Sequence, residues 1–221
     1  MGAKPWGLFF VLGDAIMLVL PLNGAAQTLP IDHYLWHCVE RPVAQATLAL
    51  ESDGLHCRFE VKEAAPYTTV FAQQDPMLMV CQDSAVELFL AFADSSDNAS
   101  FAPRLEHCLY LNIEINSAGC CYAKHGHSRK GRTAFTPAEI AALQIKAEQS
   151  GDTWSVSLVV PRDFIAALAG YDAFAVGQTF ALNLYKISET KEHEHYVAFN
   201  PVDVPTPNFH LPEFFALTRV E

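Results

Sequence analysis

Alternation of apolar and polar residues is the dominant pattern of the chain from about Leu29 onward. In the clearest run, Leu55, Cys57, Phe59 and Val61 alternate with polar or charged residues. Because successive side chains of a strand point to opposite faces, this period of two predicts a half-buried β-strand. The same pattern predicts strands over 85–92, 109–116, 143–147, 154–160 and 180–184, with a turn at 150–152 that joins two of them as a hairpin.

Helical patterns are short and few. Pro137–Ala142 follows Thr136, a good N-cap residue, and Glu139 stands at the capping-box position. Pro161–Ala169 has proline in its first turn and Gly170 at its end. Neither segment is long enough to form a helical layer. The sequence therefore predicts an all-β fold, an antiparallel β-sandwich of the jelly-roll kind with one or two short helices, over a barrel as the alternative.

The first 26 residues permit two interpretations. Lys4, a mostly apolar run over 6–22 and small residues at 24–26 are typical of a secretory signal peptide. Asp14 interrupts the apolar run, and a charge there is costly to insert into a membrane. The alternative is a first strand, or a hairpin that turns at Gly13-Asp14.

We therefore divide the chain into a signal-like or N-terminal strand segment, 1–27, and a single β-sandwich domain, 28–221. A signal peptide would place the protein outside the cell or in the cell envelope, and a strand would leave it cytoplasmic. No later segment approaches the ~18 uninterrupted apolar residues of a membrane span, so no membrane contact is expected beyond the signal-like segment.

Composition indicates a globular protein with an acidic surface. Hydrophobic residues make up 51% of the chain and charged residues 18%, which is enough apolar material for a sizeable core. The net charge is -11, from 25 acidic and 14 basic residues. Such a surface repels phosphate backbones, so nucleic acid is excluded as an expected partner. A neutral polyhydroxyl ligand is compatible with it.

The six cysteines are predicted to be mostly reduced. Cys57 occupies an apolar position of an alternating run, where a free thiol packs as a small hydrophobe. Cys120 and Cys121 are adjacent, so on a strand they point to opposite faces. No CxxC pair is present that would indicate a structural zinc site.

Polar and aromatic residues on the non-core faces of three predicted strands are the main candidate site. A sugar requires amide and carboxylate partners for its hydroxyl groups and an aromatic ring for its C–H face. If the three strands are neighbours, their faces combine into one wall of this composition; the alternative is that these residues only face water. The residues are Glu87 and Phe89, then Tyr110, Asn112, Glu114 and Asn116, then Asn183 and Tyr185.

Two histidine pairs suggest a metal site only weakly. His193-x-His195 would place two imidazoles on one strand face, and His125-x-His127 would do so in a loop. No third ligand has a convincing spacing. We predict solvent-facing histidines, with His193 and His195 kept as the weak metal candidates.

No catalytic motif is present. The chain has no GxSxG elbow, P-loop or HExxH sequence. Glu87 and Glu114 would serve as a glycosidase pair only at a separation of ~5–9.5 Å. Accepting hydrogen bonds from sugar hydroxyl groups is the simpler role for both.

An ordered series of motifs runs from about Leu29 to Glu221. Its most specific parts are DSAVELF at Asp83–Phe89 and the proline- and phenylalanine-rich ending at Asn200–Phe215. The other pieces are LPIDHYLW at Leu29–Trp36, LHCRFEVKE at Leu55–Glu63, YLNIEINSAG at Tyr110–Gly119, TWSVSLVVP at Thr153–Pro161 and NLYKISE at Asn183–Glu189. In this order the motifs resemble the family 9-like carbohydrate-binding domains of the DOMON-like sandwiches.

The resemblance implies a non-catalytic domain that binds a mono- or oligosaccharide. Carried over by motif, Glu87 is the first sugar-contacting residue, followed by Asn112, Glu114 and Asn116, and then by Asn183 and Lys186. Some relatives carry structural calcium, so calcium is the one cofactor that the resemblance allows.

One departure concerns the aromatic clamp. Relatives often have a tryptophan shortly before the DS motif, where this chain has Met77-Leu78-Met79-Val80. Tyr122, Tyr185 and Phe89 are the predicted substitutes. Two other hypotheses stay open: a cupin-like metalloprotein or enzyme that uses the HxH pairs and Glu114, and a structural domain that docks a partner and has a degenerate sugar site.

Overall fold

The computed structural model describes residues 9–12, 15–63, 65–73 and 79–221, and within them two β-sheets form a sandwich. The strands are β1 (Phe9–Leu12), β2 (Ala15–Leu20), β3 (Gln27–Ile31), β4 (His33–Tyr34), β5 (Val43–Glu51), β6 (Gly54–Lys62), β7 (Ala85–Phe92), β8 (Leu109–Asn116), β9 (Cys121–Gly126), β10 (Thr133–Ala134), β11 (Lys146–Ser150), β12 (Thr153–Pro161), β13 (Thr179–Ser188), β14 (His195–Ala198) and β15 (Ala216–Val220). Two short α-helices, α1 (Pro137–Ala142) and α2 (Arg162–Ala169), and two 3-10 turns, Val80–Gln82 and Pro212–Phe214, complete the described elements. The predicted all-β sandwich is confirmed.

The larger sheet has the order β1-β2-β15-β13-β7-β8-β9-β10. In addition, β14 pairs with β13, and β4 pairs with β14. The smaller sheet has the order β11-β12-β6-β5-β3. Among the described strands, β15 and β2 pair in parallel, and the other pairs are antiparallel. β2 thus belongs to the larger sheet, and Leu18 and Leu20 lie in the core. The division of the chain at residue 27 stays a prediction.

Local signals explain where the elements begin and end. The capping box of α1 is present, since the Thr136 hydroxyl accepts from the Glu139 amide and the Glu139 carboxylate accepts from the Thr136 amide. The predicted strand over 143–147 is wrong at its start: Leu143 caps α1, and the chain turns at Gln144, whose φ is 51°. β11 therefore begins only at Lys146. The hairpin turn predicted at Gly13-Asp14 lies outside the described residues.

All six cysteines are free thiols. Cys121 packs in the core between the sheets, whereas Cys120 packs with Val80 and Tyr122 on the other side of the larger sheet. The two adjacent residues thus point to opposite faces. Among the described residues, no helix is both long enough and apolar enough to cross a membrane.

The central strands of the larger sheet are buried on both faces. Every residue of β7, β8 and β13 is buried. On one face, Leu88 and Leu90 of β7 pack in the core between the sheets, together with the apolar residues beside them on β8 and β13. The other face carries a second apolar cluster that includes Phe89, Tyr110 and Tyr185. That cluster is covered by the C-terminal segment 199–215, which we call the C-terminal cover.

Aromatic contacts fasten the C-terminal cover to the sheet. Phe209 stacks on Tyr185 with ring centroids 3.9 Å apart and an interplanar angle of 14°. Its ring also lies 5.5 Å from that of Trp36. The indole of Trp36 donates a hydrogen bond to the carbonyl oxygen of Val204 at 2.7 Å. The cover is thus a packed part of the fold.

Substituting Phe209→Ala should lower the free energy of unfolding by about 3–5 kcal/mol, because it removes a buried aromatic ring and leaves a cavity under the cover. Urea unfolding followed by fluorescence measures the change. Phe71→Ala is the matched control, since Phe71 is 74% exposed, and it should change stability by less than about 0.5 kcal/mol. Equal effects of the two substitutions would contradict the packed role of the cover.

Candidate functional site

A cavity of about 250 Å³ opens on the outer face of the larger sheet, beside the C-terminal cover. Its floor comes from β7, β8 and β9, and its walls from the residues around the 3-10 turn Val80–Gln82, the loop after β9, the ends of β13 and β14, and the cover. The lining residues are Met79, Cys81, Glu87, Glu114, Tyr122, Arg129, Arg132, Ile187, Glu189, Tyr196, Pro207, Asn208, Phe209 and His210.

Strand register brings the predicted residues together in rows. Tyr185, Glu87, Glu114 and Tyr122 are direct partners across β13, β7, β8 and β9. Residues that pair directly across a sheet lie on the same face, with their Cβ atoms about 4.5–5.5 Å apart. A second row, two residues along, consists of Asn183, Phe89, Asn112 and Lys124. The predicted strands are therefore neighbours, and their outward faces combine carboxylate, amide and aromatic side chains.

Glu87 and Glu114 are the central acidic groups of the floor. They are 3% and 4% exposed, respectively. Burial raises the pKa of Glu114 to about 7, although the hydrogen bond from Asn112 and the charge of Arg132 oppose the rise. Burial, reinforced by the charges of Glu114 and Glu189, raises the pKa of Glu87 well above its ordinary value. Among the described residues, Oε2 of Glu87 has no hydrogen-bond partner.

A polar chain fixes the position of Glu114. The Asn112 amide nitrogen donates a hydrogen bond to Oε1 of Glu114 at 2.8 Å. Nη1 of Arg132 in turn donates to the Asn112 side-chain oxygen. Asn112 is fully buried and does not line the cavity, so it holds Glu114 from below.

His210 supplies a neutral imidazole at the edge of the cavity. Burial, together with the charges of Arg132 and Arg129, lowers the pKa of His210 to about 3. The hydroxyl of Tyr110 and Nδ1 of His210 share a hydrogen bond, and burial raises the pKa of that hydroxyl well above 10. Tyr110 is therefore the donor and Nδ1 the acceptor, which places the imidazole proton on Nε2. Phe89 lies beneath the His210 ring, 5.2 Å between centroids.

Two arginines from the loop after β9 line the cavity. Nη1 of Arg129 donates to the side-chain oxygen of Asn208 at 3.2 Å, which joins the loop to the C-terminal cover. Arg132 lies over the Tyr110 ring, 5.7 Å from its centroid. Sequence reasoning missed both arginines and His210. The sequence shows basic residues in this polar loop and a histidine, His210, shortly before the final proline. No pattern of spacing links these residues to β7 and β8, so the sequence did not identify them as site residues.

Several predicted site residues lie below or beside the cavity instead of lining it. Phe89 and Tyr185 are buried in the apolar cluster under the cover. Asn116 donates to the Val70 carbonyl and to Asp83, each at 2.8 Å, and so braces the loop before β7. Asn183 donates to the Asn200 carbonyl at 2.8 Å and accepts from the Asn200 amide at 2.9 Å. These amides position the walls of the site.

Lys186 lies on the opposite face of the larger sheet. It pairs with Val86, which belongs to the core side, and its side chain is fully buried. Its Nζ donates to the Ser84 hydroxyl at 2.8 Å and lies 3.6 Å from Oε2 of Glu63. Lys186 is thus separated from the cavity by the sheet itself.

The prediction of solvent-facing histidines is wrong for His195. This residue is fully buried because its register partner Ser188 places it beside Lys186, whose Nζ is 2.6 Å from its Nε2. Burial and the Lys186 charge lower the pKa of His195 to about 3. His193 instead stacks on Tyr67 at 4.7 Å and is bonded to Glu40 at 2.8 Å.

The weak metal candidates do not converge with Glu114. His195 and Glu114 lie on opposite faces of the larger sheet, by the register of β13 with β7 and β14. Donor atoms of Glu40, Glu63 and His195 do lie within 4.8 Å of one another. The ammonium of Lys186 already supplies a positive charge to that group.

The buried Lys186 should produce a pH-dependent gain in stability. Burial lowers the pKa of Lys186 to about 8 in the folded state, against ~10.4 for an unfolded lysine. Between these values an unfolded lysine binds a proton that the folded Lys186 has lost, so the contribution of Lys186 to the free energy of unfolding should rise with pH, by at most about 3 kcal/mol. In Lys186→Met this increment should be absent.

Urea unfolding at about pH 8 and about pH 10 measures the difference. Lys62→Met is the matched control, because the Lys62 side chain is 68% exposed, and it should follow the unsubstituted protein. If Lys186→Met and the unsubstituted protein show the same pH dependence, the assigned role of Lys186 is wrong.

Comparisons with known proteins identify the kind of domain. A family model described as carbohydrate-binding family 9 matches residues 19–220. A protein of Bacteroides uniformis to which carbohydrate binding has been ascribed has a similar structure, with a TM-score of 0.70, 21% identity, and coverage of 88% of this chain and 86% of that one. No curated protein sequence matches.

Two further solved structures share the fold. One is a family 9 carbohydrate-binding module of Caldicellulosiruptor kristjanssonii in complex with cellotriose, with a TM-score of 0.58, 11% identity and coverage of 93% of each chain. The other is a module of the same kind from the same organism in complex with glucose, with a TM-score of 0.55, 11% identity, and coverage of 93% of this chain and 95% of that one.

Proposed function

This chain belongs to carbohydrate-binding family 9, a family of non-catalytic binding modules, and we propose that it binds its sugar in the cavity over β7, β8 and β9. The observation that carries this proposal is the row formed by Glu87, Glu114 and Tyr122, which places two carboxyl groups and an aromatic ring on one cavity floor. Sugars need such a combination of polar partners and apolar surface.

The dimensions of the cavity favour a small ligand. Its volume of about 250 Å³ lies just below the ~300–1,000 Å³ of typical small-molecule sites. One sugar ring is therefore the expected occupant, with any further rings outside the mouth. The neighbouring structures hold glucose and cellotriose, so glucose and short glucose oligomers are the first ligands to test.

Each wall has a distinct role in this proposal. From the cavity floor, Glu87 and Glu114 form hydrogen bonds with hydroxyl groups of the sugar. Arg129 and Arg132 donate from the loop after β9, and the neutral His210 donates through its Nε2 proton. The apolar contacts come from Tyr122, Tyr196 and Phe209, so aromatic rings are available although the expected tryptophan is absent.

Calorimetric titration with glucose, cellotriose and other mono- and oligosaccharides tests the proposal. The protein should bind at least one of them, and Arg132→Met should weaken that binding about tenfold or more, because it removes a donor and releases Asn112. Arg58→Met on the smaller sheet is the matched control and should leave the affinity unchanged. Absence of binding by the folded protein to every sugar would contradict the proposal.

Met79 offers a second test of the site. It lines the cavity, is 55% exposed and lies in the stretch where relatives have a tryptophan. Substituting Met79→Trp should strengthen sugar binding by about threefold to tenfold, because a flat ring packs better against the sugar C–H face. The same titration measures this gain.

Val176→Trp is the control for Met79→Trp. Val176 is 64% exposed and does not line the cavity, so its substitution should have no effect on sugar affinity. Unchanged or weaker binding by Met79→Trp would show that Met79 does not face the ligand.

A further inference from the structure

Two buried carboxyl groups face the cavity without a counter-ion. Glu87 and Glu114 are direct cross-strand partners on β7 and β8 and are 3% and 4% exposed. None of the ion pairs between described residues includes either of them. Two adjacent buried carboxylates cannot both ionise cheaply, because each is desolvated and each repels the other.

The remaining charged groups around the pair do not neutralise it. Glu189, at the end of β13, adds a third negative charge, and its carboxylate accepts a hydrogen bond from Cys81. The positive charges come from Arg132, from Lys124 on β9, and from Lys186 through the sheet. Arg129 also lines the cavity, where it donates a hydrogen bond to Asn208. Arg132 donates a hydrogen bond to Asn112, and Lys186 donates one to Ser84. Lys124 lies 5.3 Å from the centre of the Tyr122 ring.

The other titratable groups beside the pair are neutral. His210 is unprotonated because burial and the two arginines lower its pKa to about 3. Burial raises the pKa of the Tyr110 and Tyr185 hydroxyls well above 10. Burial also raises the pKa of the Cys81 thiol and of the Tyr196 hydroxyl. None of these groups therefore offsets a second negative charge on the pair.

We propose that Glu87 and Glu114 hold one proton between them in the free protein, and that Glu87 meets the ligand as a neutral carboxyl group that donates a hydrogen bond to a sugar oxygen. This inference rests on the proposed function of the same cavity. It adds a specific chemical role, since an ionised carboxylate only accepts hydrogen bonds whereas a carboxylic acid also donates one.

The hydrogen bonds decide which partner carries the proton. Oε1 of Glu114 accepts from Asn112, a bond that favours its ionised form. Oε2 of Glu87 has no partner among the described residues, although it is buried at the cavity. The proton therefore resides on Glu87. Burial is the first cause of the raised pKa of both carboxyl groups, and the hydrogen bond from Asn112 opposes the rise at Glu114.

Sugar binding should accordingly weaken as the pH rises above neutrality. Loss of the shared proton converts Glu87 from a donor to an acceptor and places two negative charges on adjacent strands. Calorimetric titration of the unsubstituted protein, with a saccharide that it binds at about pH 6, should show at least about a tenfold loss of affinity once the pH exceeds the value at which Glu87 ionises.

Glu87→Gln distinguishes a neutral donor from a charged acceptor. The amide of glutamine keeps the shape and the donor but cannot ionise. This variant should bind within about threefold of the unsubstituted protein at about pH 6 and should not lose affinity by about pH 9. Glu87→Ala should bind at least about tenfold more weakly at both values. Glu148→Gln, an exposed substitution on β11, is the matched control and should keep the full pH dependence.

The protonation of Glu87 and Glu114 can be measured without any ligand. Carbon-13 labelling of the glutamate carboxyl groups, with the two resonances assigned from Glu87→Gln and Glu114→Gln, reports the ionisation of each group in the free protein. One of the pair should remain protonated at about pH 7, well above the ~4.3 of a glutamate in a model peptide.

The calorimetric and carbon-13 measurements distinguish failure of the donor role from failure of the proposed sugar site. Sugar binding that stays unchanged when Glu87 ionises, or a loss of more than about tenfold in folded Glu87→Gln at about pH 6, overturns the donor role of Glu87 while leaving the sugar site intact. Titration of both carboxyl groups near ~4.3 overturns the shared proton. If no sugar binds at any pH, the proposed function fails and the donor role fails with it, and the carboxyl titration alone decides the protonation.

Discussion

The burial of β7, β8 and β13 on both faces is the constraint on which the rest of the structure depends. One face packs in the sandwich core, and the other lies under the C-terminal cover, 199–215. Asn183 ties the cover to the sheet through paired hydrogen bonds with Asn200. The stacking of Phe209 on Tyr185 adds apolar contact to this attachment. The cavity lies at the edge of the covered region, so the packing that completes the fold also shapes the site.

Polar groups on these doubly buried strands must find partners, because an unpaired buried polar group costs about 1–3 kcal/mol. Lys186 is paired with Ser84 and Glu63 on the core side. On the cavity side, Asn112 bonds to Glu114. Glu87 is the exception among the described residues, since one of its oxygens remains unpaired. An unsatisfied group at a cavity is a reasonable place for a ligand atom, and this is the physical basis of both proposals.

Part of the site could be predicted from the sequence because strand geometry is periodic. The alternation in DSAVELF and YLNIEIN placed Glu87 and Glu114 on the face away from the core, and the sheet makes them direct partners. Arg132 and His210 could not be found in this way. They come from a loop and from the C-terminal cover, which reach β8 only through tertiary packing. For the same reason, Asn183 was not recognisable as an anchor for Asn200.

The sequence by itself determined the all-β class, most of the strands, the capping box of α1 and the family resemblance, because each depends on local periodicity or on ordered motifs. Only the tertiary structure decided which outward faces are covered, which residues reach the cavity and that Lys186 lies on the opposite side of the sheet. Strand order and register set these relations, and they depend on contacts between residues far apart in the chain. The environment of Glu87 is the clearest case, because its raised pKa follows from burial and from the neighbouring charges of Glu114 and Glu189, which its own strand does not supply.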